Sequence, residues 1–305
     1  TVNGLSRFNG STWKSYTTAD KLAHNKVNAL AYELSSYGHE IWAGTDGGVT
    51  VLSVKADAVT FATPYTTMNS KYPGMISDKI TSAAVDSQHV RWFGSEGGLM
   101  SFDGKVWKSY TTADKLAHNK VSSIAYEETS YGPEIWVGTS GGISVVNTKI
   151  DAVSFATPYT TTNSKYPGMI SDTIQSATMD TIHKMRWFGT DKGVIGFDGS
   201  AFKSYTVDNF LSSNDVTSAA VGKDGMIYFG TRTAGVSRYD GVTAASPLDT
   251  AWSGIASDTI NAIAVGRFGE LWFATDKGVT KWIPDGVGVK RSEERRVGKE
   301  CRSRW

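Results

Sequence analysis

The chain has 305 residues, 40% of them hydrophobic and 20% charged, with a formal net charge of +1 and one cysteine. That length and apolar content fill a large core, since a chain of this size buries roughly three quarters of the surface its unfolded form exposes. No apolar run approaches the roughly 18 residues that a membrane-crossing helix needs, no signal peptide is visible, and a lone cysteine excludes an internal disulfide.

In chain order, residues 4–8 and 12–17 read as the third and fourth strands of a unit whose first half is missing, so the chain is expected to begin inside a repeat. A complete unit follows. Its first strand opens at Asn25 and runs on through Val27-Asn28-Ala29-Leu30-Ala31-Tyr32, with small or aliphatic residues at alternate positions. Counterparts open at Asp78, Asn119, Asp172, Asn214 and Asp258, and turn formation accounts for the Asn or Asp at each start. Alternation marks a strand, whereas a helical repeat would place apolar residues roughly every three to four positions.

The second strand is Ile41-Trp42-Ala43-Gly44-Thr45. It returns as Arg91-Trp92-Phe93-Gly94-Ser95, Ile135-Trp136-Val137-Gly138-Thr139, Arg186-Trp187-Phe188-Gly189-Thr190, Ile227-Tyr228-Phe229-Gly230-Thr231 and Leu271-Trp272-Phe273-Ala274-Thr275. The anchor aromatics are 50, 44, 51, 41 and 44 residues apart. Periods in that range, with several short strands per unit, indicate the blades of a β-propeller. Large aromatics at equivalent strand positions fill the space between sheets packed about 10 Å apart, so Trp42, Trp92, Trp136, Trp187 and Trp272 are read as core. A Gly-rich turn such as Asp46-Gly47-Gly48 supplies the positive φ of a tight hairpin. The third strand ends in Phe102-Asp103-Gly104 or Phe197-Asp198-Gly199, and the fourth reads Val106-Trp107-Lys108-Ser109-Tyr110. Five units are complete and a last one has three strands ending near Ile283, which makes twenty-five strands. A closed six-bladed ring needs twenty-four and a seven-bladed one twenty-eight. The expectation is an all-β, four-stranded-blade propeller with six blade repeats, a six-blade ring or open arc cut from a larger parent.

A second level of repetition lies above the blade. Residues 13–104 recur at 107–199 with an offset of 94, which becomes 95 after one inserted residue near His183, and residues 14–27 are identical to 108–121. Compact blades therefore alternate with blades that carry a longer outer connection. The propeller is assigned to residues 1–286, and 287–305 to a non-native or disordered tail. Residues 291–305 abandon the β pattern and are similar to a translated sequencing adapter. Without them the chain has 25 Lys and Arg against 27 Asp and Glu, a net charge of −2, and no cysteine for a metal thiolate or a nucleophile. No basic footprint for nucleic acid is left.

The Gly-Gly-Val/Ile turns, the Phe-Asn/Asp-Gly turns and the Trp-Lys-Ser-Tyr-Thr-Thr-Ala-Asp segment at residues 13–20 and 107–114 resemble the two-component regulator propeller repeats. The resemblance covers residues 4 to about 286. It implies a periplasmic or extracellular bacterial sensor propeller, often seven-bladed and joined to a membrane-spanning histidine kinase, although related repeats occur in secreted proteins without one. It carries over no site residue, because the motif itself is scaffold.

Strands alternate in direction, so the fourth-to-first connections share a face with the Gly-rich turns. That face holds the longest insertions, residues 63–75 and their copy at 157–169, and loops on a rigid scaffold are where function collects. Tyr65, Tyr72, Tyr159 and Tyr166, with the cations Lys71 and Lys165, are the candidate residues for stacking on a small-molecule, glycan or peptide ligand. Loops that merely cover blade edges are the alternative. Asp46, Glu96, Asp191 and Asp276 stand at neighbouring turns where a cation ring is conceivable, but Asp before Gly is ordinary turn chemistry, and no metal is assigned. The five histidines lack metal-ligand spacing, no Ser-His-Asp set or carboxylate pair is legible, and no cofactor or catalytic residue is assigned. The expected function is an extracytoplasmic sensor module. A secreted or surface-attached binding scaffold is the rival, and a propeller lyase or hydrolase comes third.

Overall fold

The computed structural model describes residues 1–284 apart from 36–37, 56–57, 70, 131, 150–151 and 164. The expected tail, 287–305, lies outside the described residues. The chain divides into two compact units, Thr1–Tyr159 and a second beginning at Thr160.

The first unit opens with β1 (Leu5–Phe8) paired to β2 (Trp13–Tyr16). Three four-stranded sheets follow. They are β3–β6 (Val27–Ser35, Gly38–Thr45, Gly48–Lys55, Ala58–Phe61), β7–β10 (Ile80–Val85, Arg91–Ser95, Leu99–Phe102, Trp107–Tyr110) and β11–β14 (Val121–Thr129, Gly132–Thr139, Gly142–Lys149, Ala152–Phe155). The second unit holds β15–β18 (Ile174–Asp180, Met185–Thr190, Val194–Phe197, Phe202–Tyr205), β19–β22 (Val216–Val221, Ile227–Thr231, Val236–Tyr239, Ala244–Leu248) and β23–β25 (Ile260–Val265, Leu271–Thr275, Gly278–Trp282). Every sheet is an antiparallel meander in which chain neighbours are sheet neighbours, the blade of a β-propeller. Two single-turn 3-10 helices, Thr18–Asp20 and Thr112–Asp114, had no counterpart in the expected strands. Each is closed by a capping box between a Thr and the Asp three residues on.

Consecutive blades within a unit pack through one repeated fit. The first residues of four first strands, Ile80, Val121, Val216 and Ile260, are fully buried. Each sits against the glycine of the preceding blade's Trp strand. A Cβ on Gly44 would lie 2.5 Å from Ile80 Cγ2, one on Gly94 2.5 Å from Val121 Cγ1, and one on Gly230 2.6 Å from Ile260 Cγ2. The glycine of the Trp-x-Gly-Thr signature is therefore a socket for the next blade, and each seated Ile or Val contributes about 1.5–3 kcal/mol of burial.

The Trp residues behave as the core reading expected, with one correction. Trp42, Trp92, Trp136 and Trp187 are buried and Tyr228 takes the same place, but Trp272 is only half-buried. No blade packs on β23–β25 among the described residues of its unit from the side that would cover it, and Lys281 lies over its ring instead. The strand starts are also corrected. Each first strand begins two residues after the expected Asn or Asp, which belongs to the preceding connection.

Candidate functional site

Each second-to-third strand turn is built the same way. The hydroxyl ending the Trp strand accepts from a turn N–H and donates to the carbonyl of the glycine that opens or precedes the third strand. Thr45 does so with Gly47 and Gly48, Ser95 with Gly97 and Gly98, and Thr139 with Gly141 and Gly142. Gly48 has φ 118°, and a Cβ there would lie 2.3 Å from the Tyr65 carbonyl oxygen. Only glycine satisfies both the turn and that close approach.

The six Asn or Asp residues before the first strands are latches on the fourth-to-first connections. Asn25, Asn119 and Asn214 each accept from a backbone N–H seven residues earlier, at 2.8 Å. Asp78, Asp172 and Asp258 each accept two bonds, from the N–H and hydroxyl of Thr67, Thr161 and Thr250. Asn serves the compact connections and Asp the longer ones, where a second acceptor oxygen captures the threonine hydroxyl.

A bulge at the second position of the first strands turns Asn28, Thr81 and Thr217 toward the next blade. Asn28 thereby donates to the Ile80 carbonyl at 2.8 Å, Thr81 to that of Val121 at 2.7 Å, and Thr217 to that of Ile260. The acidic turn residues beside them are already engaged. Asp46 is 3.0 Å from Lys26 and accepts from Asn28 at 2.7 Å. Burial pushes its pKa up, but those bonds and the charges of Lys26 and Lys79 outweigh burial and hold it below the usual carboxylate range. Glu96 pairs with Lys79 at 2.8 Å, and Asp191 accepts from Ser171 at 2.5 Å. Asp276 is exposed. Among the described residues no three His, Cys, Asp or Glu side chains converge on a point that could hold a metal ion.

The long connections at 63–75 and 157–169 are straps. Tyr65 forms a two-bond antiparallel bridge to Val49, at 2.8 and 2.9 Å. Its ring packs on Trp42, Phe102 and Trp107, with centroids 6.0, 5.1 and 5.8 Å away. Burial, then neighbouring Tyr72, raises its phenol pKa. Tyr72 lies 5.3 Å from Tyr65 and meets Phe102 edge-on. Lys71 is exposed, its ammonium 5.2 Å over the Tyr72 ring. Gly74 then closes the strap, its carbonyl accepting from the Ser109 hydroxyl of β10 at 2.6 Å.

In the second copy, Tyr159 bridges Ile143 and stacks on Trp136 at 6.1 Å. Tyr166 meets Phe197 edge-on at 6.0 Å, with Lys165 5.2 Å over its ring. The structure thus sorts the six candidates. Tyr65 and Tyr159 wedge their rings against blade aromatics, and the Lys71–Tyr72 and Lys165–Tyr166 pairs present a cation above a half-buried ring.

The histidines serve the scaffold in different ways. His24 and His118 accept from Lys26 and Lys120 N–H groups within their own turns, at 2.9 Å. His39 bonds the Tyr32 hydroxyl, His89 the Glu33 carboxylate and His183 the Asp180 carboxylate. The hydroxyl clamps, the bulge bonds and the carboxylates that accept from the Trp42, Trp92 and Trp187 Nε1 groups were all missed from sequence. The constant Thr or Ser after the strand glycine was the one visible signal for the clamps.

No family model matches the sequence, and no curated protein matches it. Solved structures do. The extracellular domain of a B. thetaiotaomicron protein described as a hybrid two-component system superposes with a TM-score of 0.68 at 19% identity, over 92% of this chain and 35% of its own. PorZ, a bacterial surface component of the type-IX secretion system of Porphyromonas gingivalis, gives 0.67 at 16% identity, over 90% and 42%. Virginiamycin B lyase from Staphylococcus aureus gives 0.56 at 14% identity, over 84% of each chain. Likeness at these identities establishes a shared fold. The chain spans about a third, 35%, of the two-component domain. Among the described residues no helix is long and apolar enough to cross a membrane.

Proposed function

We propose that this chain is a sensor propeller from the extracytoplasmic region of a bacterial two-component signalling protein. A small-molecule, glycan or peptide ligand docks on the 63–75 and 157–169 connections, and the propeller passes its binding to a histidine kinase in the same parent chain. What supports the reading is the likeness, over 86 to 92% of the chain, to extracellular domains described as parts of hybrid two-component systems. In this reading Tyr65 and Tyr159 anchor the straps, while Lys71 with Tyr72 and Lys165 with Tyr166 meet the ligand. A cation held above an aromatic ring suits a sugar or peptide that offers both a flat face and an acceptor oxygen.

The test is a thermal-shift screen of the purified chain against soluble oligosaccharides and short peptides. A saturable rise in the melting midpoint is expected, and Lys71→Ala combined with Lys165→Ala should abolish it. A rise that survives the double substitution would move the ligand off these connections. The likeness to the PorZ surface component favours a second reading, a surface-attached binding scaffold with no kinase. Substituting the chain for the extracellular domain of a two-component sensor separates the two. Ligand-dependent autophosphorylation belongs to the first reading, and ligand binding without it to the second.

A further inference from the structure

The β15–β18 and β19–β22 blades leave a cavity of about 550 Å3 between them. Met185, Trp187, Lys203 and Tyr205 line one side, Gly241 and Val242 belong to the opposite blade, and His183 stands at the edge.

The same face is filled in the sibling copy. Trp92 and Tyr110 of β7–β10 correspond to Trp187 and Tyr205, and Val153 and Phe155 of β14 cover them, Phe155 lying 5.4 Å from the Tyr110 ring. Phe155 pairs with Val146, which pairs with Ile135. In β19–β22 the same register runs Ala244, Tyr239, Ile227. Ala244 stands where Phe155 stands, and Tyr239, in place of Val146, covers Trp187 and Tyr205 only in part, its ring 6.0 and 5.7 Å from theirs. Exposed Ile182 and Val242 add apolar surface nearby.

One polar group at this gap, His183, is particular to the second copy. His89 at φ 61° and Lys184 at φ 55° mark the same position of the two first-to-second strand turns, which makes His183 the inserted residue. The buried Asp180 carboxylate accepts from the Ile182 and His183 N–H groups at 3.0 and 2.9 Å, from Trp187 Nε1 at 3.3 Å and from His183 Nδ1 at 2.7 Å. A carboxylate only accepts, so Nδ1 carries a proton and Nε2 is left for the cavity. Nε2 lies 3.3 Å from where a Cβ on Gly241 would stand. The Lys203 ammonium sits 5.1 Å over the Tyr205 ring and forms no ion pair among the described residues. Asp198, also at the cavity, is held in its own turn by Ser200 and Ala201.

We propose that this cavity binds a small aromatic carboxylate. Its ring takes the place that Phe155 fills in the sibling copy, against Trp187 and Tyr205, and its carboxylate pairs with Lys203. The site is separate from the straps and independent of the sensor reading.

Titration of the purified chain with 3-phenylpropionate, read by tryptophan fluorescence and melting midpoint, tests it. Saturable binding at millimolar concentrations is expected, about tenfold tighter than for uncharged 3-phenylpropanol, as loss of a charge-assisted bond implies. Lys203→Met should weaken binding about tenfold. Lys108→Met, at the equivalent sibling position, should leave it unchanged, as should Lys71→Ala with Lys165→Ala. Ala244→Phe should abolish binding and raise the midpoint. Absence of saturable binding, equal affinity for acid and alcohol, or undiminished binding in Ala244→Phe would overturn the proposal. Should Ala244→Phe misfold, Lys203→Met with a wild-type midpoint and wild-type affinity overturns it equally.

Discussion

Glu33 is a carboxylate with 1% of its side chain exposed, and four donors converge on it. Arg91 reaches it through Nε and Nη2 at 2.7 Å each, Trp42 through Nε1 at 3.1 Å and His89 through Nδ1 at 2.9 Å. The Arg91 guanidinium also lies 4.9 Å over the Trp42 ring, so one blade's acid and indole are clasped by the next blade's cation. Glu33→Gln removes the countercharge and leaves Arg91, 12% exposed, without its ion-pair partner. Breaking a buried pair from one side costs about 3–5 kcal/mol, and urea denaturation of the variant should show a loss of that size. Adding Arg91→Met should recover more than half of it. A single substitution that leaves the urea midpoint where it was would mean that water already screens the pair. None of this was legible from sequence. Trp42 announced itself by its period, but Arg91 is 58 residues from Glu33, and only the stacking of blades brings them together.

The third-to-fourth strand hairpins show how far local sequence can be read. Phe-Asp-Gly was recognised as a turn, and in the structure its carboxylate accepts from the backbone N–H groups ahead of it. Asp103 accepts from Lys105 and Val106, Asp198 from Ser200 and Ala201, and Asp240 from Val242 and Thr243. In Asp240 the N–H and hydroxyl of Thr243 and the N–H of Val242 hold the pKa down to about 2. The bonds to Asp198 and Asp103 lower theirs as well, in Asp103 against an opposing effect of burial. A carboxyl depressed on folding contributes stability that is fully present above its unfolded pKa, about 3.9 for Asp. That contribution is lost as pH falls through the folded value. Thermal midpoints should therefore decline between about pH 4 and pH 2, and Asp240→Asn should flatten that decline while lowering the midpoint at neutral pH. An unaltered acid limb in the variant would remove Asp240 from the account. Where sequence reading fell short was the Asn or Asp before each first strand. Turn chemistry was the right kind of reason, but the accepted bonds span 7 to 11 residues, beyond what a local pattern encodes.

At the scale of the whole chain, regularity made the blades readable and hid what departs from regularity. The twenty-five strands of the described residues stand close to where counting put them, because period, alternation and glycine turns repeat and correct one another. The cavity beside Trp187 escaped notice because it depends on how two blades pack, and the straps were read as loops because their tyrosines face blades far off in sequence. The end of the chain poses the same question of departure from pattern. Residues 291–305 hold six of the 31 Lys and Arg but three of the 30 Asp and Glu, so the formal charge passes from +1 to −2 without them. A propeller ending before that segment keeps every described strand, since β25 closes at Trp282. Truncation after residue 290 should thus leave the melting midpoint and the far-ultraviolet spectrum unchanged while taking the isoelectric point from about 7.7 to the acidic side. The full chain should be retained weakly on heparin at low salt and the truncated one should flow through, because retention follows the basic cluster alone. If the midpoint drops by several degrees on truncation, the segment packs on the propeller and belongs to the fold.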